Sequence, residues 1–253
     1  MKTKQEAKER PFVADPKTSL RIVRGRRTQM RSLIHWRPYE GGINLGFSGL
    51  QPGLYNTCNP DSGWVLRSRD GRGTWNDRTK PVNCPFGLVG DRLWLQEDYR
   101  ALGSSGDRED VEYRADGAKR ACKTDEIVIH SAEWLSAKDM PRWATRAILQ
   151  IEKIEVQRLQ EISDEDIVAE AVACEHCDGR GWYLERFADN HGTPCKYCLE
   201  EARKRGIDIA PGQYAKQDLR NVFAESWNSR YDKRAHWEKN PWVWVVTWKL
   251  KEV

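Results

Sequence analysis

No run of apolar residues in this chain approaches the roughly 18 that a membrane-crossing helix needs. The opening stretch, MKTKQEAKERPF, is positively charged but lacks the apolar core of a secretory signal, so the expected location is the cytoplasm. Internal repeats are missing as well. A disulfide framework is not expected, because a cytoplasmic compartment is reducing and seven cysteines leave at least one thiol unpaired under any scheme. A strong net charge is also lacking, since +4 over 253 residues says little by itself about partners. What remains is a soluble, globular composition, 39% hydrophobic and 32% charged, long enough to bury a real core in one large domain or two small ones.

The charge that is present is unevenly placed. Residues 1–40 hold 11 Lys or Arg against 4 Asp or Glu, a local excess of +7 that leaves −3 for the remainder. A basic end on a near-neutral body is compatible with a surface that faces nucleic acid, and equally with a solvated leader, here residues 1–14. Twelve tryptophans are several times the usual share. Trp94 in RLWLQ and Trp242, Trp244 and Trp248 in PWVWVVTWKL lie in β-like runs, where packing is the default for large rings. A stacking surface for bases is the alternative.

Along the chain, Asp15-Pro16-Lys17-Thr18-Ser19 predicts a helix entry, and Gly25 a helix end. RRTQMRSLIHW alternates as a strand does. Residues 37–83, rich in Gly, Pro, Asn and Asp, read as loops with short strands. Gly90-Asp91 is a turn that leads into the strand RLWLQED, and VEYRADG at 111–117 is another short strand. Residues 103–110 and 116–126 read as exposed loops. RAILQIEKIEVQRL reads as a strand by its β-branched residues, with a helix as the rival. Ser163 caps a helix with acidic first-turn residues Asp164, Glu165 and Asp166. QDLRNVFAESWNSRY carries Leu219, Val222, Phe223 and Trp227 on one helical face, and 241–250 closes the chain as a strand.

The sharpest motif is CEHC followed, 17 residues on, by CKYC. Each pair turns two thiolates toward one point, and Cys174, Cys177, Cys195 and Cys198 together complete a tetrahedral zinc site at about 2.3 Å per Zn–S bond. Gly179, Gly181 and Gly192 supply the turns around it. Four thiolates leave no open position, so the expected zinc is structural. A redox pair is the rival, but nothing thioredoxin-like surrounds either pair. His176 and His191 are read as surface residues.

Taken in order, GRRTQMR (25–31), CPFGLVGDRLWLQEDY (84–99), YRADG (113–117), MPRWATR (140–146), LQEISDEDIVAE (159–170), FAESWNSR (223–230) and NPWVWVVTWK (240–249) resemble the ASCH proteins of the PUA-like superfamily. The likeness is to their phage- and prophage-encoded "morphogenetic" branch and spans about residues 18–250. It implies an α+β fold, a PUA-like mixed β-barrel with flanking helices, formed by residues 15–171 and 207–253. The cysteine segment, 172–206, is then an inserted zinc hairpin. It also implies a cleft lined by GRRTQMR and by the acidic end of LQEISDEDIVAE, and RNA or a nucleotide as the expected partner, with DNA possible and no membrane. Arg26, Arg27 and Arg31 are the candidate phosphate contacts, with Thr28, Trp94 and Glu97 beside them, and Glu170 as acceptor from a base amino group. Some relatives act as amidohydrolases on acetylated cytidine through a lysine, a threonine and a glutamate. The glutamate falls on Glu170, but the lysine falls on Arg27 and the threonine on Met30. Arginine stays protonated and methionine has no hydroxyl. A hydrolase of modified nucleosides or RNA, with Glu170 as acid–base and Glu97 or Asp98 as weaker options, is the alternative function. A phage accessory module that binds another protein is a third.

Overall fold

The computed structural model describes residues 7–39, 43–105, 107–126, 130, 132–170, 182–183, 193–194 and 216–252. β1 (Glu9–Val13) and α1 (Pro16–Val23) come first, then β2 (Gln29–Leu33) and β3 (Arg37–Pro38). β4 (Gln51–Leu54), β5 (Trp64–Arg69) and β6 (Trp75–Asp77) form a three-stranded antiparallel sheet, and β7 (Thr79–Lys80) pairs with β3. β8 (Arg92–Gln96) precedes an antiparallel meander of β9 (Tyr99–Ser105), β10 (Arg108–Tyr113) and β11 (Lys119–Lys123). Then come β12 (Ala147–Arg158), α2 (Asp164–Glu170), the short β13 (Trp182–Tyr183) and β14 (Thr193–Pro194), α3 (Lys216–Asn228) and β15 (Trp242–Glu252). The result is a mixed α+β protein, mostly strands, whose main sheet has the order β1-β8-β12-β15-β2 and curls as a half-barrel.

The chain divides into two compact units. One comprises residues 1–30, 35–156 and 244–253, and the other 31–34 and 157–243. In the first, the strand β12 alternates as its sequence does, with Ala147, Leu149 and Ile151 buried, which settles its conformation against the helical rival. Leu93 and Leu95 of β8 and Trp244, Val246 and Trp248 of β15 are buried as well, so these tryptophans pack rather than stack on a ligand. Trp248 lies 5.8 Å from Phe12, ring centre to ring centre. In the second unit α2 and α3 pack together, and Leu159, Ile162, Ile167, Phe223 and Trp227 form its interior. The Trp227 indole donates to the Ala235 carbonyl at 2.7 Å.

Helix starts follow the sequence closely. Asp15 accepts from the Thr18 amide (3.0 Å) and hydroxyl (2.7 Å), and Pro16 opens α1, where its missing amide is no loss. Gly25 takes φ +66° just beyond the helix end. The Ser163 hydroxyl accepts from the Asp166 amide at the start of α2.

Two segments differ from expectation. Residues 103–110 and 116–126 are largely strand, not exposed loop. In β10 the inward positions are Glu109, Val111 and Tyr113, so a buried carboxylate interrupts the apolar alternation and conceals it. Glu109 is satisfied there by the Gly103 amide at 3.2 Å and by His130 at 3.1 Å. The expected leader, residues 1–14, likewise contains β1, which pairs in parallel with β8.

Asp91 explains that pairing. Its carboxylate accepts from the Lys8 amide (2.9 Å), the Arg10 guanidinium (2.7 Å) and the Leu88 amide (3.0 Å), joining both strand starts and the turn between Cys84 and Asp91. Gly87 approaches so closely, at φ +119°, that a methyl group there would collide with Arg10 and Asp91. Gly87→Ala is expected to cost about 1–3 kcal/mol in chemical denaturation. Burial opposes the charged form of Asp91, but the bonds and charge from Arg10, Lys8 and Leu88 hold its carboxyl below the ordinary value of 3.8. The unfolded chain therefore takes up that proton more readily. The stabilisation is present above about pH 4 and is lost as pH falls through the depressed folded value. Asp91→Asn should lower stability at pH 7 and flatten this acid limb, which melting curves from pH 2 to 7 would show.

Candidate functional site

The residues marked by sequence fall into separate charged arrays, described by unit. In the second unit, Arg31 of β2 has a fully buried side chain. One terminal nitrogen donates to Glu170, the other to Asp166 at 2.8 Å and to Gln157 at 3.4 Å. Asp166 and Glu170 stand four residues apart on α2, so one helix face presents both carboxylates to the same guanidinium. The Glu170 side chain is 3% exposed and that of Asp166 34%. The cationic strand and the carboxylate expected to line a cleft are thus joined as a buried ion pair through Arg31.

In the first unit, Arg27 is buried and reaches the Thr18 hydroxyl at 3.4 Å. Its charge adds to the hydrogen bonds that, against burial, hold the Asp15 carboxyl low. The carbonyls of Arg27 and Thr28 accept from the indole and backbone N–H of Trp248, at 3.2 and 2.9 Å. Arg26 and Thr28 are exposed, as is Arg24. This turn is rigidly built, because the amides of Arg26 and Arg27 both donate to the Arg21 carbonyl, at 2.8 and 3.1 Å. Trp94 is half-buried in β8, opposite Pro11 and Ile148.

Glu97 is fully buried and belongs to a network that sequence reasoning missed. Arg146 clamps it with two hydrogen bonds of 2.8 Å, and bonds both oxygens of Asp116 at 2.9 and 3.0 Å. The same guanidinium lies 4.2 Å above the Tyr113 ring, whose hydroxyl donates to the Ala144 carbonyl at 2.8 Å. Burial pushes the Glu97 carboxyl up despite Arg146. Burial acts on Asp116 in the same sense, but hydrogen bonds from Arg146 and Ala118 and the charges of Arg146 and Arg24 hold it below its ordinary value. Glu97, Asp116 and Arg146 come from LWLQEDY, YRADG and MPRWATR, three of the motifs quoted above. That shared origin was the available signal, since neither Asp116 nor Arg146 stands out by spacing.

Cys174, Cys177, Cys195 and Cys198 lie outside the described residues, as do His176 and His191. Among the described residues no group of three or more His, Cys, Asp or Glu is placed to hold a metal ion. Cys84 is no reactive nucleophile, because burial pushes its thiol up to about 11.

Breaking the Arg31 pair from one side leaves an uncompensated buried charge. Arg31→Met and Glu170→Gln should each destabilise the protein by about 3–5 kcal/mol, whereas the double substitution should recover part of that loss. Denaturant unfolding of the three variants measures it. Comparison with known protein families, curated proteins and solved structures finds no match for this chain.

Proposed function

We propose that the chain is a nucleic-acid- or nucleotide-binding protein, with RNA as the expected partner, built as a PUA-like barrel of the ASCH kind. A phage or prophage origin accompanies that reading. The observation that carries it is the arginine turn after α1. Arg24 and Arg26 stand in solvent on a backbone that Arg21 fixes, while the neighbouring Arg27 is drawn into the interior. Rigid, exposed guanidinium groups bind phosphates with little ordering cost. Binding is preferred to hydrolysis because Glu170, the expected acid–base, already accepts a hydrogen bond from Arg31. The role this supports for Glu170 is structural, holding α2 against β2.

The purified protein is expected to bind short single-stranded RNA with an affinity that falls as salt rises. Replacing Arg24 and Arg26 by Ala should weaken it and reduce the slope of log K against log salt by about one. Thermal stability should hardly change. Parallel titrations with duplex RNA and DNA identify the preferred form, and failure to bind any of them at low salt would end the proposal.

The zinc assignment belongs to the same reading. β13 pairs antiparallel with β14, Trp182 opposite Pro194, so the chain enters and leaves this ladder at one end. Those two ends are the ones that continue, in sequence, toward Cys177 and into Cys195. Elemental analysis should find one zinc per chain, lost when Cys174 and Cys195 are replaced by Ser.

A further inference from the structure

A second feature of the first unit is not used by the reading above and stands apart from the arginine turn. The ladder of β3 and β7 places Arg37 opposite Lys80 and Pro38 opposite Thr79, and the Tyr39 amide donates to the Arg78 carbonyl at 3.3 Å. Beside this ladder is a cavity of about 350 Å³ lined by Tyr39, Asn44, Phe47, Ser68, Asp77 and Arg78. That volume lies at the small end of the range for ligand pockets, roughly 300–1,000 Å³. Tyr39 is 42% exposed and Phe47 52%, so two ring faces are offered where a folded chain would ordinarily cover them.

The polar groups are arranged for a ligand with both donors and acceptors. Arg78 is fixed by its Nε, which donates to the buried Ser68 hydroxyl at 2.8 Å. Its two terminal nitrogens have no hydrogen-bond partner among the described residues. Asp77 receives Arg67 through Oδ1, by Nε and a terminal nitrogen at 2.9 Å each, which leaves Oδ2 as an acceptor. Asn44 uses its carbonyl oxygen on the Gly46 amide, leaving its NH₂ as a donor. Arg37 and Lys80 are exposed at the rim and have no ion pair among the described residues.

We propose that this cavity binds one nucleotide, its base between Tyr39 and Phe47 and its phosphate against Arg78, with Arg37 and Lys80 at the rim. Aromatic faces stack on any base. The free Asp77 oxygen accepts from an exocyclic amino group, so amino-bearing bases are selected over those with a carbonyl in its place. The ligand is either a free nucleotide or an unpaired nucleotide of a single strand, and both present the same chemistry to the pocket.

The test uses the full chain, titrated calorimetrically with AMP, IMP and a single-stranded oligo(A). Wild type, Tyr39→Ala/Phe47→Ala, Asp77→Asn and Arg24→Ala/Arg26→Ala are compared, and each variant is checked by circular dichroism and melting. AMP should bind more tightly than IMP, and Asp77→Asn should remove that preference. The aromatic double substitution should weaken AMP and oligo(A) about tenfold, as expected for loss of base stacking. An oligomer about tenfold tighter than AMP identifies a strand as the source, and equal affinities identify the free nucleotide. Unchanged affinity in the folded aromatic variant overturns the pocket, as does absence of AMP binding to wild type. The variant lacking Arg24 and Arg26 should keep its AMP affinity, so failure of the arginine turn and failure of this cavity are read separately.

Discussion

A guanidinium taken out of water must meet carboxylates, because an isolated buried charge costs more than folding can supply. That constraint organises both units of this protein. Arg31 is held by Glu170 and Asp166, and Arg146 by Glu97 and Asp116. Each buried arginine thereby ties distant segments together: β2 to α2 in one unit, and the ends of β8, β10 and β12 in the other. Arg146 has its Nε and both terminal nitrogens engaged, so it has no donor nitrogen to spare for a phosphate.

The same rule sorts the arginines by role. Those held inside by carboxylates or hydroxyls build the fold, and those outside remain free to meet a ligand. In the first unit the exposed set includes Arg24 and Arg26 after α1 and Arg37, Arg78 and Lys80 beside the aromatic cavity. A net charge of +4 hides this separation, because many of the cations it counts are already neutralised by an acidic partner.

Much of the architecture was legible in the sequence for simple reasons. α1 carries its cap at Asp15, its proline and its terminal glycine in the expected places, and β12 keeps its alternation through Ile151. The meander was not legible, because its buried Glu109 and the lone buried Cys122 of β11 do not read as an apolar face. β1 was hidden too. Its burial alternates only between exposed and half-buried, and its place depends on Asp91, some eighty residues away. At the site, Glu97 and Arg31 were marked as ligand contacts because charge in sequence carries no sign of burial. Their partners Arg146, Asp116 and Asp166 were not assigned to them, since pairing across such distances is set only by the sheet.

The account places ligand contact on the exposed arginine turn and assigns the interior arginines to structure. Amide hydrogen exchange of the full chain, with and without a short single-stranded RNA at low salt, tests this directly. Exchange should slow at residues 24–28 on adding RNA and stay unchanged around the buried Arg146. Slowing that spares residues 24–28, or none anywhere under conditions where the RNA is bound, would contradict it.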